Sequence, residues 1–129
     1  MVSKIRQVAF DCRDSYTLSK FWEQITGWSE DPDDPNLPEH EENYIGPEDG
    51  SSGLIFLNVP EGKQIKNRLH LDLWPEDRTR DEEVERVLAL GATMVDDRRT
   101  ADGRGWAVLA DPEGNEFCIL RSEAERRND

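Results

Sequence analysis

Apolar residues in the first quarter of the chain follow first the period of a strand and then the period of a helix. Residues 5–12 are apolar, β-favouring and roughly alternating, which predicts a strand. The next apolar positions are Leu18, Phe21, Trp22 and Ile25. Their spacing of i, i+3, i+4 and i+7 places them on one face of an α-helix, which we expect to be buried.

Residues that begin and end helices flank this stripe. Asp14 or Ser15 can accept hydrogen bonds from the first turn, as N-cap residues do. Gly27 follows the last apolar position, where a glycine commonly ends a helix. The sequence therefore predicts a helix between these residues.

The stretch "RLHLDLW", residues 68–74, alternates strictly and predicts another strand. One face would carry Leu69, Leu71 and Leu73, and the other face Arg68, His70, Asp72 and Trp74. We expect the leucines to pack on a helix, because burying an ionised Asp72 without a partner is costly. His70 would then line a cavity; the alternative is a histidine that bonds to its neighbours beneath the sheet.

The second half continues with a helix and three strands. Thr79 and Glu82 form a capping-box pattern at the start of a helix that Gly91 ends. Strands are predicted at residues 92–97, 105–112 and 115–122. The sequence "DPEGN" between the last two strands is typical of a tight turn.

Residues 29–50 have a different character from the rest of the chain. They are rich in proline and acidic residues, contain no Lys or Arg, and predict an irregular loop with a short strand around Tyr44 and Ile45. The loop could be a lid, but a charge run of this kind favours a solvated segment. Residues 53–60 predict a strand, and the tail 123–129 is expected to be frayed.

The two halves repeat the same order of strand, helix and glycine. Gln7 precedes Gly27 by 20 residues (27 − 7), and His70 precedes Gly91 by 21 (91 − 70). The offset between the halves is 63 residues (70 − 7). We therefore predict an α+β fold of two paired βαβββ modules, about residues 4–60 and 66–122, forming a half-open barrel around a central cavity in one domain, residues 1–129.

Composition and charge limit the possible partners. The formal net charge is −13, with 35% charged and 35% hydrophobic residues, which argues against binding to nucleic acid or anionic membranes. It favours neutral or cationic ligands. Cys12 and Cys118 make no disulfide framework, and the N-terminus lacks a signal-peptide pattern. We expect a cytoplasmic protein with reduced thiols and no membrane span.

Several motifs carry a resemblance to a known superfamily. They are "DSYTLSKFWEQITGW", "RLHLDL", "LALGAT" and, most specific, "DPEGNEFCIL". With these motifs the chain resembles the vicinal oxygen chelate superfamily, which includes glyoxalases, bleomycin-resistance proteins and extradiol dioxygenases, and in particular its glyoxalase-like domain branch. The resemblance covers roughly residues 4–122. It implies the paired-module fold and a homodimer.

For metal-using members, the resemblance implies four ligands on the first and last strands of the modules. In this sequence they would fall at Gln7, near Phe56, at His70 and at Cys118; Glu116 shares the inward face but lies two residues early. One histidine and one cysteine are fewer ligands than zinc needs, and phenylalanine offers none. We predict no metal and no cofactor.

Alternative roles remain open for the two candidate chemical groups. The imidazole of His70 is a side chain of the type used in acid–base catalysis, although the sequence assures it no partner. Cys118 is either a small buried hydrophobe or a nucleophile, and a reactive thiolate needs a nearby cation.

The sequence leaves three functions open. They are a metal-free enzyme acting through His70, a binding protein that sequesters an aromatic or drug-like molecule, and a metal-dependent lyase or dioxygenase. The missing ligands count against the third, and the apolar Phe56 favours binding. The predicted pocket residues are Gln7, Phe56, Asn58, His70, Asp72, Trp74, Trp106 and Cys118. Tryptophans in a pocket suit flat or apolar ligands, although ordinary packing explains each of them equally well.

Overall fold

The described residues form seven strands and three helices, and the order of one strand, one helix and further strands occurs once in each half of the chain. The computed structural model describes residues 1–128 as a mixed α+β fold with two sheets. The elements are β1 (Gln7–Cys12), α1 (Ser15–Thr26), β2 (Glu42–Ile45), β3 (Gly53–Asn58), β4 (Leu71–Leu73), α2 (Arg80–Ala89), β5 (Thr93–Asp97), β6 (Ala107–Ala110), β7 (Glu116–Ile119) and α3 (Glu123–Arg127). Two compact units divide between Lys63 and Gln64. None of the helices within residues 1–128 is both long and apolar enough to cross a bilayer.

The first unit is a three-stranded sheet with α1 packed on one face. Its strand order is β1-β3-β2, with β1 parallel and β2 antiparallel to β3. The predicted apolar stripe of α1 is buried, which confirms the helical periodicity. Phe10 of β1 lies between Trp22 of α1 and Phe56 of β3, at centroid distances of 5.4 and 5.2 Å.

The ends of α1 are those that the sequence predicts. The Asp14 carboxylate accepts a hydrogen bond from the Thr17 backbone N–H at 3.1 Å. Gly27 ends the helix in the left-handed region, at φ 73°, and donates its N–H to the Glu23 carbonyl. Glycine suits this position because it has no Cβ to oppose a positive φ.

The acidic segment is tied to the first sheet by two buried asparagines. The Asn36 side chain donates to the Tyr44 carbonyl at 2.8 Å and accepts from the Tyr44 N–H at 2.9 Å. The Asn43 side chain accepts from the Leu37 N–H at 3.0 Å. The short strand predicted around Tyr44 and Ile45 is confirmed as β2.

The first unit has fewer strands than a βαβββ module. Its described residues form three strands, and outside them the segment before β2 makes only two isolated bridges, Ser29 with Gly46 and Asp31 with Asp34. The prolines and acidic residues of this segment have low strand propensity, so no fourth strand forms. The prediction of four strands is therefore wrong for this unit.

The second unit has all the elements of a βαβββ module: β4, α2, β5, β6 and β7. Its four strands form one sheet. The order is β4-β7-β6-β5, with β4 parallel to β7 and the other pairs antiparallel. Thr79 and Glu82 form the predicted capping box of α2. Val84 and Val87 of this helix are fully buried, as is Phe117 of β7.

The predicted strand 68–74 is much shorter in the structure. Only Leu71–Leu73 form β4, and Leu69 is 87% exposed, so the prediction of three packed leucines is wrong for that residue. The pairing register would place Leu69 beside Asn115 (69 + 117 − 71 = 115). In this parallel pair the Leu73 carbonyl accepts the Leu120 N–H, so the Leu69 carbonyl would accept the Glu116 N–H. That N–H is already bonded to the Asn67 side chain at 3.1 Å, so it is not available to extend the ladder.

The C-terminal tail is more ordered than the sequence predicts. Residues Glu123–Arg127 form α3 behind a capping box between Ser122 and Glu125. The Glu125 carboxylate also accepts the Arg80 N–H at 2.8 Å, which anchors the tail to the start of α2. A frayed tail is therefore wrong for residues 123–127, while residue 129 lies outside the described residues.

The internal repeat extends to the register of strand pairing. Val8 pairs with Leu54 in the first unit and Leu71 with Phe117 in the second; both partners shift by 63 residues (71 − 8 and 117 − 54). The same offset takes Phe56 to residue 119 rather than 118. In the ligand set that the resemblance implies, Phe56 is therefore one residue away from the counterpart of Cys118, which is Ile55.

Candidate functional site

A pocket of about 340 Å³ lies on the sheet of the second unit. Strands β4, β6 and β7, together with the segments next to them, supply all of its walls. The lining residues are Lys66, His70, Asp72, Trp106, Val108, Glu116, Cys118 and Leu120. Four of the eight predicted pocket residues are therefore brought together here: His70, Asp72, Trp106 and Cys118.

Alternation along the strands determines which side chains enter the pocket. Asp72, Cys118 and Val108 are register partners across β4, β7 and β6, so they form one row across the sheet. The neighbours of Cys118 along β7, Phe117 and Ile119, point to the opposite face and are fully buried. A one-residue slip of β7 would exchange these two sets, so packing fixes the register.

A hydrogen-bonded polar cluster occupies one side of the pocket. His70 Nδ1 lies 3.1 Å from Asp72 Oδ1 and 3.8 Å from Cys118 Sγ. The potential ligand atoms of these three residues all lie within 4.8 Å of one another. His70 and Asp72 are about half exposed to the pocket, while Cys118 is buried.

The surroundings of Cys118 favour its protonated thiol. Burial, together with the negative charge of Asp72 and its hydrogen bond to the thiol, raises the pKa of Cys118 to about 11. Glu116 acts in the same direction, and Lys66 only partly opposes it. Reactive cysteines have the opposite environment, one that is electropositive and lowers the pKa. The arrangement therefore does not favour the nucleophile hypothesis.

An ion pair closes another side of the pocket. Lys66 Nζ lies 2.7 Å from Glu116 Oε1; the lysine side chain is 73% exposed and the glutamate 10%. The Asn67 side chain accepts the Glu116 N–H at 3.1 Å and so holds this connector against β7. Sequence reasoning missed Lys66, since the connector carries no periodic signal that places it beside β7.

Trp106 enters the pocket from a loop that a buried arginine holds in place. Arg80 is only 4% exposed, and its Nη1 donates to the carbonyls of Gly103, Arg104 and Gly105 at 3.3, 2.9 and 3.0 Å. Gly105 has φ +87°, and a Cβ there would collide with the Arg98 carbonyl oxygen. Only glycine fits this close approach, directly before Trp106.

The other predicted pocket residues lie elsewhere. Phe56 is fully buried against Phe10 on the helix side of the first sheet, so its placement in a pocket is wrong. The Asn58 side chain accepts the Ser15 N–H at 2.8 Å at the start of α1, which gives it a structural contact. Gln7 lies on β1 of the first unit, and the half-exposed Trp74 does not line this pocket.

The residues present do not fit the four-ligand metal set that the family resemblance implies. The position near Phe56 offers no ligand, and the register-matched residue, Ile55, is also apolar. The cluster of His70, Asp72 and Cys118 offers at most three ligand atoms, all from the second unit. A metal ion would also have to displace the proton of a thiol whose pKa is about 11.

Comparisons with known proteins identify the family. Residues 7–120 match the family described as "Glyoxalase-like domain". No curated protein matches the chain.

Solved structures show the same fold. A glyoxalase/bleomycin resistance protein/dioxygenase family enzyme from Burkholderia phytofirmans has a TM-score of 0.68 at 24% identity, over 91% of this chain and 97% of the other. The fosfomycin resistance protein FosX from Mesorhizobium loti gives 0.68 at 19% identity, over 100% of each chain. FosX from Listeria monocytogenes, bound to Mn(II) and a dihydroxypropylphosphonic acid, gives 0.71 at 20% identity over 98% and 96%. The match over residues 7–120 means that this chain belongs to the glyoxalase-like domain family.

Proposed function

We propose that this chain binds a small organic molecule in the pocket of its second unit and does so without the metal ion of the glyoxalases. The observation that carries the proposal is the lining of the pocket. Trp106, Val108 and Leu120 supply apolar surface, and His70 and Asp72 supply polar groups. Ligand pockets commonly have this combination of an apolar wall and a few convergent polar groups.

The bonds and protonation of the candidate metal-ligating side chains support the metal-free part of the proposal. Asp72 is bonded to His70, and the Cys118 thiol is protonated at neutral pH because its pKa is about 11. Two of the four positions at which the family resemblance implies ligands carry glutamine and phenylalanine, Gln7 and Phe56. A metal-dependent lyase or dioxygenase is the least supported of the candidate functions.

Elemental analysis tests the metal-free part. We expect the purified protein to carry well under one equivalent of Zn, Ni, Mn or Fe per chain, also after incubation with each metal and desalting. A His70→Ala variant serves as the matched control. One equivalent of any of these metals in the unsubstituted protein, lost in the His70→Ala variant, would contradict the proposal.

A second candidate function is acid–base catalysis on the bound molecule. The contact that favours it is the 3.1 Å approach of Asp72 Oδ1 to His70 Nδ1. A carboxylate in this position orients the imidazole and fixes its tautomer, so that the other ring nitrogen can exchange a proton with a ligand. Binding is the first step of either function, so the same pocket carries both.

Substitution of His70 distinguishes a pocket residue from a core residue. Because the side chain is about half exposed, we expect His70→Leu to change the free energy of unfolding by less than about 1 kcal/mol. The same substitution should change the set of small molecules that shift the melting temperature in a ligand screen. Thermal melts with and without the screened molecules measure both effects, and Trp74→Leu, outside the pocket lining, is the control.

The opposite pattern would identify a core histidine. A large loss of stability in His70→Leu, together with an unchanged set of stabilising molecules, would show that His70 packs rather than binds. An identical change in the Trp74→Leu control would show that the screen does not report on this pocket.

A further inference from the structure

We propose that the pocket selects an organic cation, with the charged group of the ligand at Asp72 and a flat apolar part against Trp106. This inference rests on the proposed binding function and specifies the chemical class of the ligand. It follows from how charge is paired among the residues that line the pocket.

The described residues that line the pocket include two carboxylates and one fixed cation. Lys66 is paired with Glu116 at 2.7 Å, so that glutamate is already neutralised. Asp72 has no such partner: among the described residues its ion-pair partner is His70, which is charged only when protonated. Its other partner, the Cys118 thiol, is neutral. Of the two carboxylates, Asp72 is therefore the one without a permanently charged partner among the described residues.

Asp72 is also accessible to a ligand. Its side chain is 52% exposed and lies among the residues that line the pocket. A carboxylate has several acceptor sites, so it can bind a ligand N–H donor while keeping its contacts to His70 and Cys118. A charged donor makes a hydrogen bond that is roughly twice as strong as a neutral one.

The same residues disfavour the binding of an anionic ligand. Glu116 already engages the ammonium group of Lys66, and Asp72 would repel a second negative charge in the same small space. Lys66 lies largely in solvent, where its charge is screened.

The apolar part of the lining suits the remaining part of such a ligand. Trp106 is an aromatic side chain that keeps almost half of its surface exposed, with Val108 and Leu120 beside it. Exposed indole attracts both flat rings and cations, the latter through the negative face of its π-system. A ligand with a ring and an adjacent cationic group can therefore contact both the apolar residues and Asp72 in a 340 Å³ pocket.

Three probes of nearly the same shape test the charge preference: benzamidinium, benzamide and benzoate. Binding to the unsubstituted protein is followed through the indole N–H signal of Trp106 in ¹⁵N NMR, assigned with a Trp106→Phe variant. We expect benzamidinium to bind at least about tenfold more tightly than benzamide, a difference of about 1.4 kcal/mol. Benzoate should bind more weakly than benzamide, and added salt should reduce the advantage of the cation.

Two substitutions locate the charge that is responsible. Asp72→Asn keeps the shape of the side chain and removes its charge, so the preference for benzamidinium over benzamide should fall below about threefold. Asp77→Asn is the control, because Asp77 is exposed, paired with Arg78 and outside the pocket lining; the preference should be unchanged there.

The possible failures are distinguishable. Equal binding of the three probes, preference for benzoate, or a preference that survives Asp72→Asn would overturn the selection of cations while leaving a binding pocket in place. If none of the three probes shifts the Trp106 signal at millimolar concentration, both this inference and the proposed binding function are contradicted.

Discussion

Substituting Phe56 with alanine should lower the free energy of unfolding by about 3–5 kcal/mol. The ring is fully buried, and its centroid lies 5.2 Å from that of the Phe10 ring. It belongs to the cluster that joins β1 and β3 to α1. Its removal takes apolar surface out of the core and leaves a cavity that neighbouring rings fill only in part. Urea denaturation followed by far-UV circular dichroism measures the loss.

Ile55→Ala is the matched control for this experiment. Ile55 is the next residue on β3, points to the opposite face and is only partly buried, so its loss should cost about 1 kcal/mol. If the Phe56→Ala protein does not fold at all, Phe56→Leu provides a milder variant. Near-native stability of Phe56→Ala with altered ligand binding would restore Phe56 as a pocket residue.

Substituting Arg80 with methionine should cost about 3 kcal/mol of stability and should also disturb the pocket. The Arg80 guanidinium, almost fully buried, is the common donor to three successive loop carbonyls, Gly103 to Gly105. Methionine retains much of the volume but donates no hydrogen bond, so these carbonyls lose their partner. Trp106 follows them directly, and its NMR indole signal should broaden or shift.

Arg78→Met provides the comparison, since Arg78 is more exposed and pairs with the exposed Asp77. Its second partner, Glu83, is buried but keeps a closer ion pair with Arg86, at 2.7 Å. The effect of this substitution on unfolding should stay within about 0.5 kcal/mol. An Arg80→Met protein with the stability and the Trp106 signal of the unsubstituted chain would show that the loop holds its own conformation.

The regular elements with strong local signals could be predicted from the sequence. The stripe of α1 and the caps at Asp14 and Thr79 depend on contacts between near neighbours in the chain, so they can be inferred from spacing alone. Parity along the strands likewise brought Asp72 and Cys118 to one face.

The sequence predictions that were wrong or incomplete concern contacts between residues that are distant in the chain. The misplacement of Phe56 is a shift of one residue, which reverses the face of a strand, and only the pairing with β1 reveals it. The short length of β4 depends on the bond that the Asn67 side chain makes with the Glu116 N–H. Lys66 pairs with a glutamate 50 residues away, and Arg80 bonds to carbonyls about 24 residues away. No periodicity of the sequence predicts contacts at these separations.

The two hydrogen bonds of the Asn36 side chain also bear on whether another chain can pair with the edge of the first sheet. Strand β2 is at the outer edge of its sheet, where free backbone N–H and C=O groups invite another chain to add a strand. At Tyr44 the Asn36 amide occupies both groups, so one side chain serves as a substitute for a neighbouring strand. The irregular segment thereby protects the sheet against aggregation through this edge.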